Sequence, residues 1–261
     1  MTTQATMDRH FTEVSSVYRE VRTTDPDPVA YIARTLAGRD GIRGADIGCG
    51  DGRYDVLMFE AIPGLHLACV DANAAMLERA ADLLSSRGID EFETRRAVAE
   101  EVALESDAYD FVASFNAVHH FDLGAFLGAC RAALAPGAHL FIYTRLPEQN
   151  ARTIWGRHFP GFTERETRLT SLGDLHGSIE RTEGLGFEGA ISFRYPRRAS
   201  LDRLIEQARR RHYSTFSLYE PKEFEDALAD FRVRVSAAAP DVDAIVWHDE
   251  NVLIHARRDH D

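Results

Sequence analysis

The stretch ADIGCGDGRY, residues 45–54, sets three glycines, Gly48, Gly50 and Gly52, within five residues, directly after an apolar run that carries a carboxylate, Asp46. A stretch of this kind is either a tight turn between a strand and a helix or a backbone cradle that lets a nucleotide-like ligand approach the peptide groups. The spacing is G-x-G-x-G. Arg53 stands where a dinucleotide-binding G-x-G-x-x-G loop has its third glycine, which counts against NAD or FAD.

Working outward, RGADIG before the loop is a buried strand and RYDVLMFEA after it a helix. LHLACVD (65–71) is the next strand, NAAMLERAADLLSSRG (73–88) a helix ended by Gly88, and FETRRAV (92–98) a third strand. YDFVASF (109–115) gives a strand, DLGAFLGACRAALAPG (122–137) a helix closed by Pro136 and Gly137, and AHLFIYT (138–144) a further strand. Strand and helix alternating in this way require parallel pairing through right-handed crossovers. The predicted fold is an α/β, doubly wound, mostly parallel seven-stranded sheet.

Two helical segments precede the sheet: 7–21, and 23–38, where Asp27 is placed to cap, Pro28 suits the first turn and Gly38 the end. After Thr144 the pattern gives way to a polar and aromatic stretch, 145–172, then a helix near 174–184 and a strand at 187–196. Helices at 201–211 and 222–239 follow, and 245–257 is one strand or a hairpin. A single domain over 1–261 is expected, with a ligand-binding core at about 40–145 and substrate-shaping additions at about 1–40, 146–182 and 197–240.

Bulk properties narrow the function. With 44% hydrophobic and 28% charged residues the chain is an ordinary globular one, and a formal charge of −12 disfavours nucleic acid or an anionic membrane as partner. The N-terminus, MTTQATMDRHF, has no apolar signal core, and no apolar run reaches the ~18–20 residues of a membrane span, so a cytoplasmic protein with no membrane partner is expected. Cys49, Cys69 and Cys130 are too scattered for a disulfide framework or a zinc site and read as small core residues; no metal is expected.

Asp71 ends the second strand about 20 residues past the loop, where it can accept both hydroxyls of a ribose or cap the helix that follows. AVAEEVAL (97–104) follows the third strand. The backbone at Ala99 and the carboxylate of Glu100 can meet an adenine edge there, or Glu100 and Glu101 can be a solvated pair. All three segments fall at carboxyl ends of strands beside the point where the strand order reverses, which is where open sheets bind ligands.

Taken together, ADIGCGDG, VDANAAML, AVAEEVAL, YDFVASFNAVHHF, LAPGAHLFIY and GLGFEGAI occur in the order seen in class I S-adenosylmethionine-dependent methyltransferases, and the chain resembles the small-molecule enzymes of ubiquinone and menaquinone biosynthesis. The resemblance implies S-adenosylmethionine as cofactor, with S-adenosylhomocysteine as product and a small molecule as acceptor. By the same resemblance Asp46, Gly48 and Gly50 shape the pocket for the methionine part, Asp71 with Ala72 binds the ribose, and Ala99 with Glu100 flanks adenine. The family usually has Asp where this chain has Val98, so Glu100 has to substitute. Asn116, His119 and His120 follow the fourth strand, where the family lines the floor near the transferable methyl. Either histidine can orient or deprotonate an acceptor, or be structural.

Tyr18 and Arg22, four apart, share a helical face. The resemblance implies that this helix closes over the cofactor, with Tyr18 at the methionine carboxylate; a plain surface pair is the other reading. Trp155, His158 and Phe159, with Arg211 and Tyr213, mix aromatics and cations in a way that suits a flat or anionic substrate, although the three arginines at 209–211 equally suit a solvated helix end. The alternatives to methyl transfer are a non-catalytic S-adenosylmethionine-binding regulatory or scaffold protein, or a cofactor-modifying relative of the fold. The oligomeric state is not legible.

Overall fold

The computed structural model describes residues 23–102 and 104–260. The expected roles of Tyr18 and Arg22 lie outside the described residues. In chain order the elements are α1 (Asp27–Thr35), β1 (Arg43–Ile47), α2 (Arg53–Ala61), β2 (His66–Asp71), α3 (Ala74–Ser86), β3 (Phe92–Arg96) and β4 (Tyr109–Phe115). Then come α4 (Leu123–Ala133), β5 (Leu134–Thr144), α5 (Pro147–Arg152), α6 (Ile154–His158), α7 (Phe162–Arg165) and α8 (Leu172–Arg181). The chain ends with β6 (Leu185–Ala199), α9 (Leu201–Arg209), α10 (Pro221–Ala238) and β7 (Ile245–Arg258).

The seven strands lie in the order β3-β2-β1-β4-β5-β7-β6. β1 pairs in parallel with β2 and with β4, β2 with β3, and β4 with β5, whereas β7 runs antiparallel to β5. The predicted doubly wound, mostly parallel sheet is thus present. From β1 the chain moves outward through β2 and β3, then returns to the far side of β1 at β4, so the order reverses beside β1. β4 is buried along almost its whole length, as a parallel strand covered on both faces must be. Edge strand β6 alternates between half-buried and exposed positions and carries Arg194, Pro196, Arg197 and Arg198, which discourage pairing with another chain.

Two boundaries near α1 and α4 differ from the sequence reading, and one open alternative is resolved. Pro26 occupies the cap of α1, and Asp27 lies in the first turn, where its charge still complements the helix N-terminus. The helix expected to reach Pro136 and Gly137 stops at Ala133, because Ala135, preceding a proline, is pushed out of helical geometry and Gly137 takes φ +75°. The register of β5 against β4 accordingly jumps from Tyr109↔Leu134 to Phe111↔His139. The final segment is one strand, β7, not a hairpin.

The chain divides into two compact units. The first comprises Thr23–Thr144, Thr170–Ile191 and Val252–Asp261; the second includes Arg145–Leu169 and Ser192–Asn251. α1 and α8 fall in the first unit. The first unit buries Met76, Leu77, Ala80 and Leu84 of α3 and Phe126, Leu127 and Cys130 of α4. Its three cysteines are buried free thiols.

The second unit is built on aromatic rings. Trp155 stacks on Phe231 (centroids 4.8 Å apart, 19° between planes) and meets Phe216 edge-on at 5.2 Å, amid Phe159, Phe162, Leu204 and Leu228. The short turn Ser214–Leu218 is tied down where buried Glu166 accepts from Thr215 Oγ1 and Arg168 Nη2, each at 2.5 Å. Among the described residues, no helix is long and apolar enough to cross a membrane, and no group of three or more His, Cys, Asp or Glu is placed to hold a metal.

Candidate functional site

The glycine loop leaves β1 and folds back across the end of β2. Gly48 and Cys49 donate their N–H groups to the Val70 carbonyl at 2.8 and 3.0 Å, and Gly48, Gly50 and Gly52 all take positive φ, +78°, +58° and +78°. The three glycines nevertheless serve different ends. A Cβ on Gly48 would lie 2.5 Å from the Ala117 side chain, and one on Gly52 3.0 Å from the backbone of Ala80, so both are required by packing. A Cβ on Gly50 would meet no described residue within 4 Å. The loop is therefore closed by protein at its two ends and open in the middle, as a cradle for a ligand needs.

Asp71 holds the open glycine in place. Gly50 donates to Asp71 Oδ2 at 2.9 Å, and Asn73 donates to Oδ1 at 2.8 Å. Asn73 in turn caps α3 by accepting from Met76 N at 3.1 Å. The carboxylate expected to receive a ribose thus also fastens the glycine loop to the start of α3.

Behind the loop lies a buried carboxyl pair. Asp46 is 1% exposed and Asp55, from α2, is fully buried, and among the described residues no N–H group donates to any of their four oxygens. Burial raises the Asp46 pKa well above the usual carboxylate range, helped by the charge of Asp55 and a hydrogen bond to it. Asp55 is raised to about 6, again chiefly by burial, while the bond from Asp46 pulls it back down. The Cys69 thiol also donates to Asp55, and two carboxyls in mutual contact favour a proton shared between them. Stacked rings wall the same region, Tyr54 lying parallel to Phe115 at 4.2 Å with Tyr143 edge-on at 6.0 Å.

The remaining expected residues of the first unit sit at the same ends of the strands. Ala72 follows Asp71, and its carbonyl accepts from Arg96 Nε at 3.2 Å. Ala99 is buried, and Glu100 Oε1 accepts the Asp122 N–H at 2.6 Å, so one oxygen of Glu100 is engaged with the start of α4. Asn116 adopts φ +55° and donates its backbone N–H to the Tyr143 carbonyl at 2.7 Å. His119 and His120 lie in a 3₁₀ turn rather than an extended segment, and their ring centroids are 4.1 Å apart.

In the second unit, Trp155 and Phe159 are each 2% exposed and given over to the aromatic core. His158 is half-buried and lines two cavities. Arg211 has φ +50° and lies over the Phe224 ring at 5.7 Å, while Tyr213 receives the Arg145 guanidinium over its face at 5.1 Å.

Two residues of the first site escaped sequence reasoning. Asp55 stands between Tyr54 and Val56 and reads as an ordinary helix acid; only the packing of α2 against β1 makes it the partner of Asp46. Arg96 ends β3 in register with Asp71, a relation set by strand pairing. A cavity of about 260 Å³ beside Arg43, His66 and Phe92 lies at the amino ends of the strands, the opposite end from the glycine loop.

Comparison with known proteins agrees with this geometry. Residues 45–140 match the family model described as a methyltransferase domain. The ubiquinone biosynthesis O-methyltransferase of Bradyrhizobium sp. (strain ORS 278) is 34% identical over 115 residues, 43% of this chain and 43% of that protein. This chain spans about half the length of the curated relatives it matches. Among solved structures, YcgJ from Bacillus subtilis superposes with a TM-score of 0.64 at 15% identity, covering 90% of this chain and 99% of that one. Geranyl diphosphate C-methyltransferase from Streptomyces coelicolor A3(2) gives 0.55 at 15% identity, over 88% and 78%. The fold is that of the Rossmann-like class I methyltransferases, with the methyltransferase domain match centred on the strands that form the site.

Proposed function

We propose that this protein transfers a methyl group from S-adenosylmethionine to a small-molecule acceptor. The observation that carries the reading is the loop itself: open space at Gly50, bounded by a buried carboxyl pair on one side and Asp71 on the other. A ligand combining a ribose with a cationic amino acid fits that donor and acceptor set. The match of residues 45–140 to a methyltransferase domain supports the same ligand over a dinucleotide.

In this reading Asp46, with Asp55 behind it, offsets the positive charge of the methionyl part, and the peptide groups of Gly48 and Gly50 border it. Asp71 and Ala72 take the ribose, and Ala99 and Glu100 border the base. The cofactor supplies an electrophilic methyl that already carries its positive charge on sulfur, so the protein needs to add alignment, a dry surface and, for a weak nucleophile, proton removal. Asn116, His119 and His120 lie beyond β4 on the carboxyl side of the sheet and are the groups proposed to orient the acceptor and hold its proton. The acceptor is taken to be a small molecule because the named relative is a biosynthetic O-methyltransferase.

Calorimetry with S-adenosylmethionine, S-adenosylhomocysteine and NAD tests the cofactor. Binding of the first two and not of NAD is expected; the reverse order would end this reading. Incubation with methyl-labelled cofactor and a metabolite extract tests transfer, and binding without any labelled product would point to a regulatory role instead.

A further inference from the structure

The second unit holds a cationic cavity that the proposed reaction does not use. About 190 Å³ in volume, it is lined by Arg152, Arg157 and Arg194, by His158 and His248, and by the apolar surfaces of Ile154, Val246 and Trp247. Glu250 is the single carboxylate in its wall, and that charge is already taken: Arg152 binds it at 2.5 and 3.0 Å and Arg194 Nε lies at 3.6 Å. The Glu250 pKa is accordingly lowered, first by its hydrogen bond from Arg152. Three guanidinium groups against one carboxylate leave two positive charges facing the cavity, in a chain whose overall charge is −12. The Arg157 side chain makes no ion pair or hydrogen bond with any described residue, its backbone N–H going to the Thr153 carbonyl.

A second cavity of about 330 Å³ adjoins the first and shares Ile154, His158 and Val246 with it. Its walls are otherwise nearly apolar, from Val235, Ala238, Ala239, Pro240 and Ile245, with Asp241 at one side. Val246, common to both, is 64% exposed, an apolar surface left for something to cover. A charged cavity that shares a wall with an apolar one fits a ligand with an anionic head and a short hydrocarbon tail.

We propose that this paired cavity binds an organic phosphate monoester with a short apolar chain, its phosphate held by Arg157, Arg194, Arg152 and the two histidines. Two surplus positive charges match the near-dianionic charge of a phosphate monoester at neutral pH better than a carboxylate's single charge. Planar guanidinium groups grip phosphate oxygens through paired N–H donors. Burial and the neighbouring Arg157 and Arg234 push the His158 pKa down, so its ring is neutral at pH 7 and gains a proton more readily once an anion arrives. The inference does not depend on methyl transfer, because it concerns binding within the second unit alone.

Calorimetry on the full chain with hexyl phosphate as probe is the test, with hexanoate, hexanol and inorganic phosphate as comparators. Hexyl phosphate is expected to bind more tightly than all three, and Arg157→Ala and Arg194→Ala each to weaken it about tenfold or more. Val246→Asp should weaken hexyl phosphate and leave the weak inorganic phosphate response no stronger. Both arginines are exposed, so the variants should fold, which circular dichroism verifies. NMR titration of the His158 ring provides a second readout: its pKa should rise when hexyl phosphate is added. Equal binding by the arginine variants, no preference for hexyl phosphate over hexanoate or inorganic phosphate, or an unmoved His158 would overturn the proposal. S-adenosylmethionine affinity measured on the same variants separates this result from the fate of the cofactor assignment.

Discussion

At Gly50 the backbone and the empty space above it give separable predictions. Alanine there must adopt φ +58°, which costs about 1–2 kcal/mol, but its methyl group enters open space and not protein. Gly50→Ala should therefore fold with slightly lowered stability and lose S-adenosylmethionine binding. Gly48→Ala meets the same backbone cost plus the Ala117 side chain at 2.5 Å, and should lose about 2–5 kcal/mol. Thermal melts and calorimetry on the two variants check the contrast; equal stability losses would mean that Gly50 borders protein, not ligand. A second residue-level prediction concerns the carboxyl pair. Below about pH 6 Asp55 takes up its proton, so a cationic ligand must displace it to bind. Affinity for S-adenosylmethionine should then weaken by up to about tenfold per pH unit between pH 6 and 5, and Asp55→Asn should flatten that slope. Parallel slopes in wild type and variant would separate Asp55 from the site. The strand-to-helix turn at Gly48 and Gly50 was legible because it is written in consecutive residues. Asp55 was not, because its meaning arises only when α2 packs on β1.

The elements show where sequence patterns mislead. Apolar runs placed β1, β2, β4 and β5, since a strand buried on both faces must be apolar throughout, whereas edge strand β3 is polar and part-exposed. They failed at the junction of α4 and β5, where the apolar run continues from helix into strand without a polar break and only Ala135-Pro136-Gly137 marks the change. Aromatic side chains posed the opposite problem. Trp155 and Phe159 stand beside arginines and histidines in the sequence and suggest a ligand face, yet α6 turns both rings into the core formed with α9 and α10. Trp155→Ala should therefore destabilise the protein by about 3–5 kcal/mol, the cost of a large core cavity. Denaturant unfolding would show it as a lowered midpoint. A variant with wild-type stability and altered turnover would instead return Trp155 to a substrate-facing role.

For the molecule as a whole, one pH-dependent contribution to stability lies where the antiparallel strand joins the parallel sheet. His139 of β5 and His255 of β7 face each other, with Nδ1 of the first 3.0 Å from Nε2 of the second, and Tyr31 of α1 reaches His255 Nδ1 at 3.1 Å. One proton bridges the two rings, so neither needs to be charged. Burial lowers the His139 pKa to about 4, with His255, Arg39 and Arg257 adding to the effect and Asp110 opposing it. His255 is lowered as well, first by burial and also by Arg257, against Glu188. Because the unfolded chain binds these protons more readily than the folded one, stability is fully present above about pH 6.5 and falls as the pH drops towards 4. The His139 contribution is at most about 3 kcal/mol, reduced by whatever solvent screening reaches the ring. Urea unfolding at pH 7 and pH 4.5 should reveal the loss. His139→Gln keeps a hydrogen-bonding group towards His255 but cannot take the charge, so its stability should change less across the same interval. If wild type and variant lose stability equally, acid sensitivity resides elsewhere, and the histidine pair is only a hydrogen-bonded contact between two strands.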